Sequence, residues 1–165
     1  MFHMENLLNV SILDVFARLS VALVLGMIIG IERIRAHKTA GMRTYALVAM
    51  GSALFVIVSE EIVKYYTGFS ALNPIMLISQ IVVGVGFLGA GMIFMKDSKL
   101  MGLTSATGLW VSAGIGMAAG FKLYGIAVVA TLLTIFVFVV LWYLEERIKK
   151  SKFVDNSDDS KDISY

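Results

Sequence analysis

The chain has 165 residues, of which 58% are hydrophobic and only 16% are charged, and its formal net charge is +2. Soluble domains are about half apolar and about a quarter charged, so this composition excludes an ordinary soluble enzyme and predicts an integral membrane protein. The small net charge argues against a nucleic-acid-binding surface. Because the sequence contains no cysteine, disulfides, thiolate metal sites and a catalytic thiol are also excluded.

Five apolar runs follow one another along the chain, and each approaches the roughly 20 residues that a helix needs to cross a bilayer. Backbone groups in lipid must be hydrogen-bonded within their own segment, which favours helices. The runs cover residues 12–31, 44–63, 72–95, 103–121 and 123–144. We therefore predict an all-α integral membrane protein, a bundle of about five transmembrane helices.

Lysine and arginine are concentrated in the loops after the first, third and fifth runs. The first of these loops contains Lys38 and Arg43. Because cytoplasmic loops carry the excess of basic residues, we expect the N-terminus outside and the C-terminus in the cytoplasm. Residues 1–150 are predicted to form the transmembrane domain, and residues 151–165 a disordered polar cytoplasmic tail.

The first span carries an acid and a base on one helix face, because Asp14 and Arg18 are four residues apart. A charge within a bilayer normally faces a bundle interior or a cavity. One interpretation is that Asp14 and Arg18 form part of an ion or proton site. The other is an ion pair that locks neighbouring helices or reaches the outer interface, and the long arginine side chain favours it.

The cytoplasmic end of the first span combines two glycines with two charges. Gly26 and Gly30 form a close-packing surface, either within the chain, which we favour, or in a dimer. Glu32 and Arg33 follow at the membrane edge. Glu32 either coordinates a cation or pairs with the arginines beside it, and we favour the pairing.

The third span is glycine-rich and also contains the amide of Gln80. Its four glycines are Gly84, Gly86, Gly89 and Gly91. Their spacing matches a dinucleotide fingerprint, but the strand, helix and acidic residue which that motif requires are missing. The glycines therefore indicate either a tight helix crossing, which we favour, or a broken helix that lines a polar cavity. Gln80 can bond across helices in either case.

The fourth span begins with three hydroxyl side chains, Thr104, Ser105 and Thr107. Hydroxyls in membrane helices often bond only to their own backbone, so they are weak evidence of a binding site. His3 and His37 lie outside the spans, and no nucleophile, base and acid can be assembled. We expect neither enzymatic activity nor a cofactor.

These motifs resemble those of the bacterial MgtC/SapB membrane proteins over residues 18–124. The resemblance rests on four ordered stretches of the sequence: 29–33, 38–44, 80–91 and 102–111. Residues 80–91 are similar to the most distinctive stretch of the family. Ser105 stands where the family usually has a second threonine, and it keeps the hydroxyl. Longer members carry a soluble ACT-like domain after the membrane part, so this chain looks like a short SapB-type member.

The resemblance implies a bacterial inner-membrane protein linked to adaptation to low magnesium or acid stress, or to survival inside host cells. Members are often labelled magnesium transporters. The resemblance better supports a regulator that binds other membrane proteins, among them the membrane sector of ATP synthase. Roles of the soluble domain are not carried over to this chain.

Three hypotheses follow. The first is a regulator that acts by helix–helix contact through the small-residue faces of spans one, three and four. The second is a carrier of magnesium, another divalent cation or protons, with Arg18, Glu32 and Gln80 along its path. The third is a structural dimer. Divalent cations normally need several oxygen ligands, and Asp14 is the one acid well inside the spans, so we favour the regulator and assign no metal site. We expect a homodimer embedded in lipid under all three hypotheses.

Overall fold

A computed structural model describes residues 11–65, 74–96 and 98–149. In this part of the chain five α-helices form a bundle, and they are α1 Ile12–Arg35, α2 Met42–Tyr65, α3 Pro74–Gly91, α4 Leu103–Gly120 and α5 Tyr124–Phe136. A π-helical turn, Val137–Leu141, continues α5 into further helix as far as Lys149. The prediction of an all-α membrane bundle is confirmed.

Among the described residues, three helical stretches are long and apolar enough to cross a membrane: Ile12–Arg35, Met42–Lys64 and Tyr124–Lys149. The third helix adds a shorter apolar stretch, Ile78–Gly91. The fourth, α4, packs against all four other helices, and ten of its 18 residues are buried. Because α4 contacts mainly protein and not lipid, it can be built from glycine, alanine and hydroxyl residues.

The end of the third predicted span is wrong. The span was expected to reach residue 95, but α3 ends at Gly91 and the chain then forms an antiparallel hairpin, β1 Phe94–Lys96 and β2 Lys99–Met101. Hydropathy cannot separate an apolar strand from the end of an apolar helix, which explains the error. Gly102 connects the hairpin to α4 with a φ of +86°, a conformation that favours glycine.

The glycine-rich helix α3 is continuous over Pro74–Gly91. The alternative of a helix broken within this stretch is therefore wrong. Residues 72 and 73 of the predicted span, and the predicted disordered tail 151–165, lie outside the described residues.

Small residues bring α1, α2 and α4 into close contact. A Cβ atom on Gly26 would lie 2.6 Å from the carbonyl oxygen of Tyr45, and one on Gly30 would overlap the start of α2. Gly116 and Gly120 of α4 likewise lie close to α2, at Ala49, Ala53 and Val56. The prediction that Gly26 and Gly30 pack within the chain is confirmed.

The bundle has two chemically different ends. The ends of α1, α3 and α5 and the starts of α2 and α4 lie together at one end, which we call the basic end because it carries Arg35, Arg43 and Arg147. The opposite end carries Asp14, Glu60 and Lys122, and we call it the network end. The placement of the basic end in the cytoplasm stays a prediction.

Candidate functional site

The network end is organised around the buried side chain of Arg18. Its guanidinium group lies 2.5 Å from Oδ2 of Asp14 and 2.6 Å from Oε2 of Glu60. It also donates a hydrogen bond of 3.0 Å to the carbonyl oxygen of Gly120. The second oxygen of Asp14 lies 2.9 Å from Nζ of Lys122. One arginine therefore ties together α1, α2 and the end of α4.

The predicted ion pair between Asp14 and Arg18 is present, and its geometry matches the helix-locking interpretation. The two carboxylates and two cations of the network sum to zero charge. Glu60 and Lys122 were not predicted as partners of this pair, although both fall at the same predicted membrane face as Arg18. In the described part of the chain, Nε of Arg18 is the one buried side-chain polar atom without a hydrogen-bond partner.

A second buried arginine organises the basic end. Arg33, whose side chain is 3% exposed, pairs with the carboxylate of the adjacent Glu32. This confirms the pairing that we favoured for Glu32. The guanidinium carbon of Arg33 also lies 3.4 Å from the centre of the Phe138 ring, which is a cation–π contact. The π-helical turn of the last helix contains Phe138.

Tyr45 connects this pair to α4. Its side chain is fully buried, and its hydroxyl donates a 2.9 Å hydrogen bond to the carbonyl oxygen of Ser105. A Cβ atom on Gly108 would lie 2.8 Å from the Tyr45 hydroxyl and would overlap the Phe138 ring, so only glycine fits there. Arg33, Phe138, Gly108, Tyr45 and Ser105 thus form one continuous group, the basic-end cluster.

The three predicted hydroxyls of α4 do not converge on one site. Ser105 is buried and enters the basic-end cluster through its backbone carbonyl. Thr104 and Thr107 are exposed, and the Thr107 hydroxyl donates to the Thr104 carbonyl of its own helix. The roles of Tyr45 and Phe138 were not predicted. Nothing in the sequence distinguishes these two aromatic residues from the many others in the apolar runs.

The glycines of α3 contribute less to packing within the chain than predicted. A Cβ atom on Gly89 would lie 3.6 Å from α4, whereas one on Gly84, Gly86 or Gly91 would have no atom within 4 Å. We predicted that all four glycines take part in a tight helix crossing. Within this chain that prediction is wrong for Gly84, Gly86 and Gly91. The reason is helical phase, because Gly89 lies on the face of α3 that is turned toward α4.

The opposite side of α3 is an exposed surface that we call the α3 outer face. Its members, spaced as i, i+3, i+4 and i+7, are Val83, Gly86, Phe87 and Ala90. The side chain of Phe87 is 81% exposed and that of Val83 is 66% exposed. Gln80, also exposed, has no hydrogen bond to another described residue. Small and large residues therefore alternate along a face that the described part of the chain leaves uncovered.

Lys38 and Arg43 are exposed at the basic end, and neither forms an ion pair within residues 11–65, 74–96 and 98–149. Over the same ranges no three histidine or acidic side chains come together as a metal-binding group. Magnesium coordination is therefore left as a hypothesis without an assigned site.

Comparisons with known proteins agree with the sequence motifs. The MgtC family pattern matches residues 19–147. A protein of Escherichia coli named "Putative magnesium transporter YhiD" is 39% identical over 133 residues, which cover 76% of this chain and 59% of that protein. Protein SrpB of Synechococcus elongatus is 39% identical over 127 residues, covering 72% of this chain and 69% of that protein.

Protein MgtC of Brucella abortus is 43% identical over 125 residues, which cover 76% of this chain and 50% of that protein. The chain thus spans little more than half the length of several relatives. No solved structure matches it. Because the family match extends over most of the chain, from α1 into the last helix, this protein belongs to the MgtC family.

Proposed function

We propose that this protein is a non-enzymatic regulator in the bacterial inner membrane, linked to adaptation to low magnesium or acid stress. It acts by helix–helix contact with other integral membrane proteins. The observation that carries the proposal is the α3 outer face, where Phe87 projects beside two small residues, Gly86 and Ala90.

Exposed apolar side chains alone are ordinary in a bilayer, where lipid covers them. The α3 outer face differs because Gly86 and Ala90 are four residues apart, the small-xxx-small spacing that lets two membrane helices approach closely. The exposed face of α5 contrasts with it, because large residues such as Leu132 and Leu133 cover that helix. Lipid chains can cover a helix face of large apolar side chains such as that of α5. The small residues Gly86 and Ala90 beside the Phe87 ring instead leave room for another helix to approach closely.

The other small-residue faces are used within the chain. Gly26 and Gly30 of α1 and Gly116 and Gly120 of α4 all pack against α2. The sequence suggested three small-residue faces for partner contact. The face on α3 is the one that is not packed against α2. The same helix contains the stretch that resembles the family most distinctively, which further supports α3 as the contact surface.

The buried charges also support a role in holding the helices together. Arg18 is neutralised by Asp14 and Glu60, and Arg33 by Glu32. The Arg18 network joins α1, α2 and the end of α4, and removal of one partner leaves a charge unpaired between these helices.

Cysteine crosslinking tests the proposal cleanly, because the natural chain has no cysteine. In native membranes, Phe87→Cys should form a discrete adduct with another integral membrane protein, identified by mass spectrometry. The matched control is Leu132→Cys, also an exposed position but on α5. The adduct should disappear when Gly86→Leu fills the hollow. An adduct with only a second copy would instead favour a structural dimer, and equal labelling at both positions would refute the proposal.

A second candidate function is transport of magnesium, another divalent cation or protons. The name of the Escherichia coli relative favours it. Within this chain, the residue that such a path would use at the basic end is Glu32, whose carboxylate is partly exposed beside Arg33. Measurement of magnesium flux into proteoliposomes separates the two functions.

A further inference from the structure

A lipid-sized groove runs between α2 and α3. It has a volume of about 660 Å³ and is partly open. On α2 the groove extends from Leu47 to Ile62, which corresponds to about 22 Å along the helix axis. The hydrocarbon core of one leaflet is about 15 Å thick, so the groove is long enough for an acyl chain.

Two glycines give the groove its width. Gly51 of α2 and Gly84 of α3 both line it, and a Cβ atom on either would have no atom within 4 Å. Around them the walls are apolar, with Leu47, Phe55 and Leu88 among the lining residues. A hydrocarbon chain is therefore the chemistry that the walls accept.

Three polar residues, Ser52, Ser59 and Gln80, also line the groove. The Ser59 hydroxyl already donates to the carbonyl oxygen of Phe55 at 2.7 Å. None of the three is charged, so the groove itself provides no partner for a charged group. Any charged part of an occupant must lie beyond one of the two ends of the groove.

The two ends of the groove differ in charge. Arg43 lies four residues before Leu47 and so extends the same face of α2 beyond the groove at the basic end. It is exposed and forms no ion pair with the residues that the structure describes. At the Ile62 end, Lys64 is already paired with Glu61 at 2.7 Å, and Glu60 with Arg18. The available positive charge is thus at the basic end.

We propose that this groove binds an anionic phospholipid, with one acyl chain between Gly51 and Gly84 and the phosphate at Arg43. Basic sites between membrane helices on the cytoplasmic side recognise anionic headgroups. Guanidinium groups bind phosphate through paired hydrogen bonds. The inference is independent of the α3 outer face, because Val83, Gly86, Phe87 and Ala90 do not line the groove.

The test is native mass spectrometry of the purified full chain with equal amounts of dioleoyl phosphatidylglycerol and dioleoyl phosphatidylcholine. The wild-type protein should retain about fivefold more phosphatidylglycerol, the preference expected from one basic group at an anionic headgroup. Arg43→Gln should reduce the preference to near equality. Lys38→Gln, which neutralises another exposed base at the same end, should keep it.

A second pair of variants tests the groove. Gly51→Leu should fill it and lower the retention of both lipids, whereas Gly125→Leu, an equally open glycine on α5 outside the groove, should not. Both variants must melt at the wild-type temperature, which is expected because neither site has a nearby atom to displace. Equal retention of the two lipids by the wild-type protein would overturn the proposal. So would a lipid-free dimer that Gly51→Leu dissociates, because the groove would then hold a second copy.

Discussion

The guanidinium carbon of Arg33 lies 3.4 Å from the centre of the Phe138 ring, so the first helix of the bundle is tied to the last. The contact depends on Gly108, because any side chain there would displace the ring. Since buried cation–π contacts are among the stronger ones, this pair is expected to matter for stability.

Phe138→Leu should therefore lower the free energy of unfolding by about 2 kcal/mol, through loss of the cation–π contact and of ring packing. The matched control is Phe136→Leu, two residues earlier on the same helix but exposed. Thermal melting of the purified protein in detergent measures both. Equal shifts in the two variants would mean that the contact with Arg33 contributes nothing.

Glu60→Gln should destabilise the protein by about 2 kcal/mol, because it removes one of two carboxylates from the buried Arg18. This expected loss of stability is smaller than for a fully buried ion pair, because the Glu60 side chain is 27% exposed. Glu61→Gln is the control, since Glu61 pairs with the exposed Lys64 and such pairs contribute less than about 1 kcal/mol. Chemical denaturation of both variants should show a clear difference, and its absence would argue against the lock at the network end.

Gly116→Ala should destabilise the bundle by about 1–3 kcal/mol, because its Cβ would overlap the backbone of Ala49. Gly114→Ala should be neutral or slightly stabilising, since that position is open and alanine has the higher helix propensity. The two glycines are two residues apart on α4. The melting temperatures of the two variants therefore test directly whether Gly116 packs against α2. Similar losses at both sites would contradict the close contact between α2 and α4.

These glycines also show where sequence-based prediction stops. Gly114 and Gly116 have similar neighbours in the sequence, and only the direction of each on the assembled helix decides which one packs. The same holds for α3, where Gly89 meets α4 and Gly86 does not. Glycine content predicts that helices pack closely, but not which glycine makes the contact.

Charge pairs show the same limit. The pair between Asp14 and Arg18 follows from a spacing of four within one helix, so it can be predicted. Glu60 is 42 residues away from Arg18, and its contact depends on how α2 packs against α1. The apolar runs predicted the helices well, because hydropathy is a local property. The hairpin after α3 was missed because Phe94 and Met95 of its first strand are as apolar as the end of a helix.

Whether the protein acts by contact or by transport is decided by magnesium uptake into proteoliposomes that contain the purified, folded protein. The wild-type protein should show no saturable uptake above empty vesicles, while vesicles with a known magnesium channel show it. Saturable uptake that is lost in Glu32→Gln and kept in Glu145→Gln, a substitution at an exposed acid of the same end, would make this protein a transporter and not a contact regulator.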